Sequence, residues 1–153
     1  MINVSVFSEE KAWSKRLKNK NLFFKNVCKA LPKKYQFSNK KVSLSLLLSN
    51  NKNIKKLNKN FRNKNKSTDI LSFPLSKKVK ISKNTYLGDV VISYEYLDKP
   101  NPHNLKLFEE KAIKLFIHGF LHLLGFDHRK DKDYYKMLRE EDFLYKCVKS
   151  KLN

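Results

Sequence analysis

From Leu105 to Leu124 apolar residues return at helical spacing, and Phe108, Ala112, Leu115, Phe116, Gly119 and Leu123 fall on one stripe. So long an apolar face has to be covered, which predicts a core helix. Gly125 stands where a left-handed residue would end it. Elsewhere the period is two. Ile2, Val4 and Val6 alternate with polar residues, as do Val42, Leu44 and Leu46 within Val42 to Leu48. Ile70 to Phe73, closed by Pro74, reads as a third strand. Leu87 to Ser93 reads as a fourth, and its Val90-Val91-Ile92 run predicts burial on both faces.

The remaining segments read as helices and loops. Trp13, Leu17, Phe24, Val27, Cys28 and Leu31 predict one helical region ending before Pro32. Asn50 or Asn51 caps a short helix bearing Ile54, Leu57 and Phe61. Val79 to Thr85 reads as a polar loop. Pro100 and Pro102 bracket another, and His103 between them reads as an ordinary loop residue. A last helix starts near Asp131 and carries Tyr135, Leu138, Phe143, Leu144 and Val148. Helices and strands without regular alternation predict an α+β domain. With no repeat and no linker, residues 1–153 read as a single domain.

Charge narrows the partner class. The chain has 34 Lys and Arg against 14 Asp and Glu, a formal net charge of +20. Such a surface attracts polyanions, nucleic acid above all. Lys and Asn are abundant throughout, so compositional bias explains the same numbers. The two cysteines, Cys28 and Cys147, make neither a disulfide framework nor a Cys-x-x-Cys zinc ribbon. They read as small apolar residues in a reducing compartment. Met1 to Phe7 lacks the apolar run of a signal peptide, and no segment reaches membrane-spanning length. The expected location is the cytoplasm, with no membrane partner.

Three of the four histidines fall between positions 118 and 128. On a helix His118 and His122 differ by about 40° around the axis and about 6 Å along it. Two imidazoles so placed can meet one ion at about 2.0–2.1 Å from each nitrogen. The break at Gly125, followed by Phe126 and Asp127, can swing His128 back to the same ion. Three neutral ligands leave a position free, as in catalytic rather than structural zinc sites. The expected cofactor is one Zn²⁺. The residue after the first ligand is Gly119, where His-Glu-x-x-His peptidases carry their base, so peptidase chemistry is disfavoured. Asp127 is a candidate base, a partner to a ligand, or a turn-forming residue. Lys114 and Lys111 precede His118 by one and two turns, which suits an anionic substrate such as a phosphodiester.

The stretch from His118 to His128, HGFLHLLGFDH, resembles the signature of the YbeY family, bacterial rRNA maturation factors described as single-strand-specific, metal-dependent endoribonucleases. Leu57 to Lys64, Thr68 to Pro74 and Leu87 to Ser93 resemble three further family segments, in family order, so the likeness spans roughly Val42 to Leu144. Asn65, Ser67 and Phe126 depart from the residues usual there. The resemblance implies a small mixed β-sheet of about four strands packed with about five helices, the metal site lying on a helix and its following loop. It implies His118, His122 and His128 as ligands and Arg62 as the functional arginine. It also implies work on the 3′ end of small-subunit (16S) rRNA and in ribosome quality control. Single-stranded RNA and the small ribosomal subunit are the expected partners; no dinucleotide cofactor is expected. Lys64, Lys66, Lys114 and Arg129 are candidate RNA contacts, with Phe61 and Phe126 as stacking faces. The rivals are a zinc metallopeptidase-like hydrolase and a non-catalytic, basic ribosome-binding protein.

Overall fold

The alternating segments pair into one four-stranded sheet. The computed structural model describes residues 2–99 and 104–152, so the loop read at Pro100, Pro102 and His103 lies outside the described residues. The strands are β1 (Ile2–Ser8), β2 (Lys41–Ser49), β3 (Ile70–Pro74) and β4 (Asn84–Ser93), in spatial order β1-β2-β4-β3. β1 and β4 run parallel to β2, and β3 runs antiparallel to β4. The sheet is therefore mixed, as expected.

Among the described residues six α-helices accompany it: α1 (Trp13–Arg16), α2 (Lys20–Ala30), α3 (Asn51–Arg62), α4 (Tyr94–Leu97), α5 (Leu105–Leu123) and α6 (Asp131–Leu152). The single helix expected across Trp13 to Leu31 is broken. Leu17 is extended, and the Asn19 side chain accepts the Leu22 N–H at 3.0 Å, capping a new helix. At α3 the cap is Asn50, which accepts from the Asn53 N–H at 2.8 Å. The Asn51 side chain instead accepts from the Ser93 hydroxyl at 2.6 Å.

The period-two pattern sorts side chains between two cores. Val42, Leu44, Leu46, Leu48, Val90 and Ile92 join the main core beneath α2 and α5. Leu47, Leu71, Val91 and Phe73 face the other way and pack with Ile54 and Leu57 of α3. Val90-Val91-Ile92 is thus buried on both faces. α6 lies against α2 and α5 through Met137, Leu144 and Val148. Tyr135, Leu138 and Phe143 are exposed, and so is Phe61. α5 is buried on most of its circumference, because the sheet, α2 and α6 all contact that part of the fold. Gly119 marks its closest approach: a Cβ there would lie 2.8 Å from a Val90 methyl and 3.0 Å from Ile70 Cδ1. Both cysteines are free, Cys28 buried and Cys147 partly so.

Candidate active site and metal centre

The end of α5 is built to turn the chain back on itself. The Gly125 N–H bonds the His122 carbonyl and the Phe126 N–H bonds the Leu121 carbonyl, both at 3.0 Å. These are the paired bonds of a Schellman cap, and Gly125 takes the positive φ it needs, 97°. Two results follow. The Phe126 carbonyl is delivered to His122, and the chain beyond returns His128 to the two rings on the helix.

The three imidazoles converge. Each offers a nitrogen, and these ligand atoms lie within 4.8 Å of one another; among the described residues no fourth His, Cys, Asp or Glu joins the group. The Nε2 atoms of His118 and His122 are 3.1 Å apart. Ring centroids are separated by 4.6 Å for His118–His122, 4.9 Å for His122–His128 and 5.7 Å for His118–His128.

The far nitrogens are held too. His122 Nδ1 lies 2.9 Å from the Phe126 carbonyl oxygen. His118 Nδ1 is bonded to the carboxylate of Glu141 on α6. A carbonyl and a carboxylate only accept, so each Nδ1 donates, which leaves each Nε2 as the nitrogen facing the shared point. Burial first, and the neighbouring His118 and His128 rings next, push His122 down to about 4, which keeps it in the neutral form a metal requires. The donor set fits a borderline-soft divalent ion such as Zn²⁺, and so do the anchored rings.

A cleft of about 640 Å³ opens over these rings, and Arg62, Lys77, Asp127 and Arg129 line it with the histidines. Arg62 reaches it from the end of α3. One guanidinium nitrogen donates to the Ser72 carbonyl at 2.8 Å, and the group lies 5.8 Å from the Phe73 ring centre. The Asp127 carboxylate accepts the His128 N–H at 2.7 Å and faces Arg129 at 3.5 Å. Lys64 and Lys66 follow α3 and lie outside the cleft lining. Lys114 turns away from it, its ammonium 4.7 Å from the Tyr145 ring centre in a separate groove between α5 and α6. Lys111 donates to the Lys99 carbonyl.

Glu141, Lys77 and the Phe126 carbonyl were not read from sequence. Glu141 is 23 residues from His118, on another helix, so no spacing rule joins them. The support that Phe126 gives His122 comes from its backbone carbonyl and not from its side chain.

The chain is similar to known proteins over nearly its whole length. A family model described as Endoribonuclease YbeY matches residues 6–149. A Pelagibacter ubique (strain HTCC1062) protein named Endoribonuclease YbeY is 57% identical over 152 residues, 99% of both chains. A Persephonella marina protein of the same name is 36% identical over 139 residues, 90% of this chain and 91% of that one. The solution structure of TM1509 from Thermotoga maritima matches with a TM-score of 0.54 at 27% identity, over 97% of this chain and 89% of that chain.

Proposed function

The chain belongs to the YbeY family of endoribonucleases, and from that membership we propose that it cuts single-stranded RNA at one Zn²⁺ ion held by His118, His122 and His128. The observation that carries the reading is the placing of the three-imidazole cluster and Arg62 in one cleft. A zinc ion there supplies Lewis-acid polarisation of a phosphodiester oxygen and activation of water.

The protein's own groups do the rest. Arg62 is anchored through one nitrogen to Ser72, which leaves other N–H groups of its planar fork for phosphate oxygens. It orients the scissile phosphate and offsets the charge that builds on it during cleavage. Lys77 and Arg129 add positive potential along the cleft, while Lys64 and Lys66 extend it beyond the α3 end. The substrate is the 3′ region of small-subunit rRNA, which places the protein with ribosomes in the cytoplasm; this rests on the family likeness. No described helix is long and apolar enough to cross a membrane.

The peptidase rival fails on space. A glutamate at position 119 would have to pass Val90 and Ile70, where even a Cβ is too close. The non-catalytic rival leaves the anchored histidines without a purpose.

The test joins metal analysis of the purified protein to cleavage of structured and unstructured RNA. The expected result is about one zinc per chain and cutting of the unstructured RNA alone. His118→Ala should lose both metal and cleavage; undiminished cleavage by a metal-free variant overturns the reading. The ends of the products assign the nucleophile, since a 2′,3′-cyclic phosphate excludes direct attack by water.

A further inference from the structure

We propose that Glu141 is a positioning residue for the metal site, fixing the His118 ring in the tautomer that presents Nε2 to the ion. The inference rests on the metal reading above. Three observations carry it.

The carboxylate contacts His118 Nδ1 and leaves Nε2 facing His122. Both side chains are sheltered, 28% exposed for His118 and 25% for Glu141. The carboxylate is also fixed from behind. Met137, Leu144 and Val148 bury the inner face of α6. The adjacent Glu140 ties the helix to Tyr35 and, at 2.6 Å, to Lys34. Two neighbouring acids thus do different work, one docking the helix and one reaching a ligand.

The support of the two helix histidines is unequal in kind. His122 is held by a backbone carbonyl, which no substitution removes. His118 is held by a side chain, which a single substitution deletes. Without an acceptor at Nδ1 the ring can place its proton on Nε2 or rotate, and either change takes a lone pair from the ion. A carboxylate at Nδ1 also makes the imidazole a stronger donor to metal.

The experiment uses the full chain and measures Zn²⁺ affinity by competition with a chromophoric chelator. Long-range ¹⁵N–¹H NMR of the metal-free protein reads the histidine tautomers. Glu141→Gln and Glu141→Ala should each weaken zinc binding by about 10–100-fold. Asp142→Asn, which removes the next carboxylate on α6, an exposed one paired with Lys146, should bind zinc like wild type. Wild-type His118 should carry its proton on Nδ1, and Glu141→Ala should lose that preference. Unchanged zinc affinity in Glu141→Ala overturns this inference alone, and failure of wild type to bind zinc overturns the metal reading with it. An Nε2–H form of His118 in wild type overturns the inference without any variant, so a poorly folding mutant does not shield it.

Discussion

Arg62 shows how a residue's role depends on bond geometry rather than charge. Its guanidinium spends one nitrogen on the Ser72 carbonyl and keeps the rest of its fork directed to the cleft. A lysine carries the same charge on one nitrogen, so it cannot hold that anchor and also present two parallel donors. Arg62→Lys is therefore expected to slow single-turnover RNA cleavage by about 10²–10³-fold, the usual cost of one lost transition-state donor. Zinc content and thermal stability should stay at wild-type values. Cleavage at the wild-type rate would leave Arg62 as a strut for β3. At this scale the sequence was partly legible. The histidines announce themselves by spacing. Gly119 was visible as a residue of the buried stripe and as an absent base; that it is a glycine because β3 and β4 press on it needs the partner strands. Glu141 was invisible because its relation to His118 is made by helix packing, not by local periodicity.

Periodicity served well for elements that are buried on one side and poorly where a single polar residue decides the outcome. Each strand was placed, two by alternation and two by short apolar runs, although β4 begins at Asn84, within the segment read as a polar loop. The break between α1 and α2 was missed, because an asparagine within helical spacing looks like a helix residue until its side chain caps. The apolar residues of α6 did not by themselves say which of them face inward. Twenty-two residues of helix offer several helical stripes, and only the one with Met137, Leu144 and Val148 finds a partner. The turn after α5 was the most legible element and the one most closely joined to function. A Cβ at position 125 would meet nothing closer than 3.7 Å, so the cost of Gly125→Ala is backbone strain at positive φ alone. That strain is expected to lower stability by about 1–2 kcal/mol in urea unfolding. Because the turn delivers both the Phe126 carbonyl and His128, zinc affinity should fall as well. A stability loss with unchanged zinc affinity would show that the turn closes the helix without shaping the site.

For the whole molecule the question is where the charge acts. The cleft lining has three cations, Arg62, Lys77 and Arg129, against two carboxylates, Asp69 and Asp127. Most of the +20 therefore lies elsewhere on the surface. On the proposed reading, a charge so spread draws RNA in and holds its backbone through many weak phosphate contacts, while the cleft acts on one linkage. These two tasks should separate under salt. Affinity for single-stranded RNA should fall linearly on a log–log plot, with a slope of about −0.7 for each phosphate contacted. The cleavage rate of RNA already bound at saturation should change far less, since salt competes with the forming of phosphate contacts rather than with a strand already seated. Lys64→Glu with Lys66→Glu sharpens the test, because these residues lie outside the cleft. The double variant should flatten the salt slope by about 1.4 if both lysines contact phosphate, with zinc content and saturated cleavage rate unchanged. Equal salt slopes for variant and wild type would route the strand elsewhere. A flat response in wild type would reduce the lysine excess to composition.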